Sequence, residues 1–65
     1  MTNLFQPIKE DSYLKALDVA IQESSQRDCF IYLFRNNRGY YIIDIFGELF
    51  SDEKLIMRIF KGEVH

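Results

Sequence analysis

The chain has 65 residues, 48% of them hydrophobic and 15% aromatic, and a formal net charge of −2 from eight Lys and Arg against ten Asp and Glu. Such a length holds one domain at most, because domains typically run to ~100–150 residues. The aromatic content excludes a disordered tail, and the slightly acidic balance argues against a general nucleic-acid coat.

The longest apolar run, Cys29 to Phe34, has six residues, far short of the ~18–20 that a membrane span needs. The opening Met1-Thr2-Asn3-Leu4-Phe5 lacks the charged segment and long apolar stretch of a secretory signal. A single cysteine cannot form an internal disulfide, which fits a reducing compartment. Together these features predict a cytoplasmic protein without a membrane partner.

In residues 1–10, Leu4, Phe5 and Ile8 flank Pro7. Proline cannot donate to a ladder, so the segment reads as an extended arm or an edge strand.

Residues 11–27 read as a helix. Asp11 or Ser12 can cap it by accepting a hydrogen bond from an otherwise unpaired backbone N–H. At 100° per residue, Tyr13, Leu14, Leu17, Ala20, Ile21 and Ser24 share one face. Lys15, Asp18, Gln22 and Gln26 share the other, with Val19 among them, a placement that an isolated monomer does not require. The polar run Ser24 to Asp28 ends the pattern.

Residues 29–46 read as a β-hairpin, because Cys29 to Arg35 and Tyr40 to Phe46 are rich in β-branched and aromatic residues. Between them, Asn36-Asn37-Arg38-Gly39 suits a type I turn followed by a G1 bulge, with Gly39 at positive φ. This turn sets a register in which Asn36 faces Tyr40, Phe34 faces Ile42, Tyr32 faces Asp44 and Phe30 faces Phe46. The opposite face then carries Cys29, Ile31, Leu33, Ile43 and Ile45, with Arg35 beside Tyr41 at its rim. One face is aliphatic, the other aromatic, and neither is polar.

Residues 51–61 read as a second helix. Ser51 is a natural cap, and Asp52 and Glu53 suit the positive end of the helix dipole. Phe50 and Leu55 match a hydrophobic staple, and Gly62 is placed to end the helix. A strand over 55–60 is the competing reading, disfavoured because apolar residues occur at both parities. The expected fold is therefore a single α+β domain, residues 1–65, arranged helix–β-hairpin–helix (αββα), with residues 1–10 as an extended arm or an edge strand.

A core this small rarely supplies more than ~3–5 kcal/mol, so folds of this size usually carry a staple. One Cys and one His make neither a disulfide nor a four-ligand zinc site, which leaves association with another molecule. The aromatic face, comprising Phe30, Tyr32, Phe34, Tyr40, Ile42 and Phe46, needs a cover. Either the second helix and the N-terminal arm fold over it, or part of it is an interface with a protein partner or a second copy. The hairpin's unpaired edges offer a second route to a dimer.

The residues therefore point to a small non-enzymatic, self-associating interaction module. An accessory or inhibitory protein of a bacterium, phage or plasmid would suit this size. The alternative is a weak nucleic-acid binder, with nucleic acid the less favoured partner on an acidic chain. It would use a hairpin tip of Arg35, Asn37, Arg38 and Tyr41 and a helical stripe of Lys54, Arg58 and Lys61. No catalytic residue, cofactor or metal site is predicted. His65 is terminal and lacks a partner, Cys29 reads as a buried small hydrophobe, and Asp44, Glu48, Asp52 and Glu53 match no calcium loop. Asp44, inside an apolar strand, requires a partner such as an arginine or an opening in the cover.

Overall fold

The computed structural model describes residues 6–47 and 53–65. In chain order they form β1 (Ile8–Glu10), α1 (Tyr13–Gln26), β2 (Ile31–Asn36), β3 (Tyr41–Asp44), β4 (Glu53–Phe60) and β5 (Glu63–Val64). The strands make one sheet in the order β1-β3-β2-β4-β5, with every neighbouring pair antiparallel. The class is α+β, as read from the sequence. The αββα arrangement is not observed: a strand precedes the helix and four strands follow it.

The central hairpin forms in the expected register, with Phe34 opposite Ile42, Tyr32 opposite Asp44 and Arg35 opposite Tyr41. Its turn chemistry also holds. Gly39 sits at φ 88°, where L side chains are strained. The Asn36 carboxamide oxygen accepts from the backbone N–H groups of Arg38 (3.0 Å) and Tyr40 (2.9 Å). The arm supplies an edge strand immediately after Pro7, with Ile8 opposite Ile43.

The second helix is the main correction. Residues 53–60 form β4, which pairs with β2 along its length; the Ser51 cap, Asp52 and the Phe50 half of the staple lie outside the described residues. Apolar residues occur at both parities because a bulge breaks the alternation. Leu33 faces Met57 while Phe34 faces Leu55, so Ile56 is the extra residue and each side of it has the opposite phase. Gly62 does not end a helix. Lys61 (φ 50°) and Gly62 (φ 82°) both have positive φ, as a two-residue type I′ hairpin requires, and they join Phe60 to Glu63.

Helix α1 covers the aliphatic face of the sheet, and Ala16, Ala20, Ile31, Leu33, Ile43 and Ile59 are each 0% exposed. Burying an Ile or Leu side chain is worth ~1.5–3 kcal/mol. The helix is rotated from its expected orientation. Its innermost line is Ala16, Ala20 and Ser24, whereas Leu14 is 75% exposed and Ile21 37% exposed. Small side chains at four-residue spacing let the helix backbone approach the sheet closely, and four large aliphatics from the strands fill the space. Val19 is partly buried against this core, so it needs no second molecule.

Ser12 is the N-cap residue, but its hydroxyl makes no capping bond; its carbonyl accepts from the Ala16 N–H at 2.9 Å. At the other end the buried Ser24 hydroxyl donates to the Ile21 carbonyl (2.8 Å) and accepts from the Gly62 N–H (3.0 Å). One side chain thereby ties the helix end to the β4–β5 turn. No buried side-chain polar atom among the described residues lacks a partner, in keeping with the cost of leaving one unpaired.

Candidate interaction surface

The sheet face turned away from α1 carries a row of rings contributed by three segments. Tyr32 and Phe34 alternate along β2 and stack with centroids 6.2 Å apart and planes 7° from parallel. Phe30, just before β2, lies 6.3 Å from Tyr32 and 5.2 Å from Phe60 of β4. His65 meets Phe30 and Phe60 edge-on at 5.6 and 6.3 Å. Centroid separations of ~4.5–7 Å are the range in which offset and edge-to-face ring pairs attract. The row therefore runs unbroken from Phe34 to the chain's last residue.

Of the six residues expected on this surface, the structure gathers Phe30, Tyr32, Phe34 and Ile42 on one face. Phe34 is 1% exposed, whereas Phe30, Tyr32 and Ile42 are half-buried. Phe46 projects at 60% exposure and is not a strand partner of Phe30, since β3 ends at Asp44. Tyr40 lies at the tip, with the Lys9 ammonium 4.3 Å from its ring centroid. The chain leaving β3 passes over Tyr32: a Cβ added at Gly47 would stand 3.1 Å from two carbons of that ring. The second helix expected as a cover is absent, and no described helix packs on this face. The hairpin's own edges are not free either, because β1 pairs with β3 and β4 with β2.

Phe60 and His65 are the members of the row that sequence reasoning missed. Their signal lay in the Lys61-Gly62 dipeptide, which reads as a hairpin turn between two short extended segments. That turn places Glu63 opposite Phe60 and leads the chain back so that the His65 N–H donates to the Arg58 carbonyl at 2.8 Å. The terminal histidine is therefore held by both backbone and rings.

The basic residues are scattered. The bulge at Ile56 puts Lys54 beside Arg35, level with Tyr41, and Arg58 beside Tyr32, so the two cations belong to opposite faces. Lys61 sits in the β4–β5 turn, 3.6 Å from Asp28 Oδ1. The Lys54, Arg58 and Lys61 stripe depended on the helix and disappears with it. Arg58 instead places its guanidinium carbon 5.3 Å from the Phe30 centroid, and Arg35 lies 5.7 Å from Tyr41. Tyr41 itself packs edge-on against Tyr13 of α1 at 5.7 Å. Asn37 and Arg38 are exposed at the hairpin tip.

Asp44 needs no arginine. Its Oδ1 accepts from the backbone N–H groups of Ile45 (2.7 Å) and Phe46 (3.4 Å), which ends β3 by offering the backbone a local alternative to the ladder. Cys29 packs against the aliphatic core. Among the described residues, no group of three or more His, Cys, Asp or Glu side chains is arranged to hold a metal, and no helix is long and apolar enough to cross a membrane. Glu48 and Asp52 lie outside the described residues. Comparisons with protein-family models, with curated proteins and with solved structures found no match to this chain.

Proposed function

We propose that this protein is a small non-enzymatic interaction module that self-associates through the aromatic sheet face and acts by occupying a protein surface. The observation that carries this reading is the ring row from Phe34 through Tyr32, Phe30 and Phe60 to His65, with Phe46, in the chain leaving β3, at 60% exposure. Aromatic side chains offer large contact area at low entropy cost, and interfaces are enriched in them. The packing of Cys29 on the core and of His65 on two rings supports a binding role over a catalytic one. An accessory or inhibitory protein is the corresponding biological role. Its seat would be the cytoplasm.

Sedimentation velocity at micromolar concentration tests the proposal. The expected result is a dimer that Phe46→Asp weakens by ~10-fold or more, since a carboxylate buried at an interface without a partner is costly. A monomer at every concentration overturns it. A second reading is a single-stranded nucleic acid stacked on the same rings, favoured by the Arg58 guanidinium over Phe30. It predicts oligonucleotide binding that falls steeply with salt and is lost in Arg58→Ala.

A further inference from the structure

The sheet has two edges, and neighbouring strands cover them unequally; each carries a lysine, and the β4 edge also carries the bulge at Ile56. On the β1 side the edge strand is three residues long, follows Pro7 and carries Lys9 and Glu10, all features that discourage further pairing. On the other side β5 covers only Ile59 and Phe60 of the eight-residue β4, and His65 adds one bond to Arg58. Residues Lys54 to Met57 have no strand on their outer side among the described residues. Leu55 (45%) and Ile56 (38%) are exposed there. Beside this stretch lies a groove of about 470 Å³ lined by Arg35, Asn36, Gly39, Lys54, Leu55 and Ile56 among others. Among the described residues its lining has two cations and no carboxylate, in a chain whose net charge is −2.

We propose that the outer edge of β4 at Lys54–Met57 accepts an extended acidic peptide of a partner protein as an added β-strand. Edge addition obtains affinity from main-chain hydrogen bonds and specificity from alternate side chains. On the N-terminal side of the bulge at Ile56 the faces define the occupant: Lys54, beside Arg35, belongs to one face and Leu55, beside Phe34, to the other. A complementary strand therefore alternates carboxylates, set against Lys54 and Arg35, with aliphatic residues set against Leu55. The site is separate from the aromatic face, so it stands or falls independently of self-association.

The test uses the whole chain and a blocked peptide of alternating glutamate and valine, about eight residues long to match a strand, titrated to about 1 mM to reach weak contacts. Backbone amide resonances and exchange rates are read. The expected result is exchange slowed about tenfold at Lys54–Met57, no response to the lysine–valine counterpart, and a reversed preference in the exposed charge-swap variant R35E/K54E. Equal response to both peptides, shifts confined to the aromatic face, or no response at this concentration overturns the proposal.

Discussion

The two faces of one sheet are built from alternate residues of the same strands, yet they meet different fates. On one side Ile31, Leu33, Ile43 and Ile59 are sealed beneath Ala16 and Ala20 of the helix, each at 0% exposure. On the other, Phe34 is 1% exposed but Phe30, Tyr32 and Phe60 are only half-buried, and Phe46 in the chain leaving β3 is 60% exposed. The difference follows from side-chain shape. Branched aliphatics fill the narrow space beneath a helix whose inner line is alanine and serine. Large flat rings pack on each other instead, and Phe30, Tyr32 and Phe60 keep part of their surface exposed. Stability is thus expected to reside on the helix side and recognition on the ring side.

The comparison predicts graded effects. Leu33→Ala should cost about 3 kcal/mol by leaving a cavity under the helix, which is most of the ~3–5 kcal/mol available to a core of this size; urea unfolding would show a midpoint shifted far toward zero denaturant. Ala20→Leu, which forces the helix off the sheet, should cost ~1–3 kcal/mol in the same assay, and a neutral result would mean that close approach is not what orients α1. Ser24→Ala leaves the Gly62 N–H without its acceptor, so a loss of about 1 kcal/mol is expected, with faster exchange of that amide as its local signature. Phe46→Asp should change monomer stability by no more than ~0.5 kcal/mol while weakening self-association. A loss above about 2 kcal/mol would instead make the ring face part of the stabilising core and erase the distinction.

How far these faces were legible varies with the range of the interactions that form them. The hairpin register could be read because Asn36 and Gly39 act locally: an Asn carboxamide holds two turn amides, and a glycine takes a φ of 88°. The segment after it was misread because its defining feature is not local. Residues 53–60 match neither a clean strand nor a clean helix until the bulge at Ile56 is known, and that bulge exists only in pairing with Leu33 and Phe34 of β2. The helix orientation was missed for a related reason. Hydrophobic periodicity favours Leu14 and Ile21 as buried, but the fully buried line against the sheet is Ala16, Ala20 and Ser24, with Leu17 and Val19 packed at its sides. For the candidate site, four of six expected face residues come together, whereas Phe60 and His65 join them through the turn at Lys61 and Gly62.

By itself, the sequence determined the α+β class, the first helix, the hairpin with its turn and register, and a hairpin with two apolar faces. Each depends on propensity, periodicity or turn chemistry within a few residues. Tertiary structure alone decided that the last segment is a strand, that Ala16 lies on the innermost line of the helix while Leu14 and Ile21 do not, and that the aromatic face extends to the final residue. Those outcomes depend on which backbone edge is open for pairing and how much space the sheet leaves, and neither is a property of a short stretch of chain.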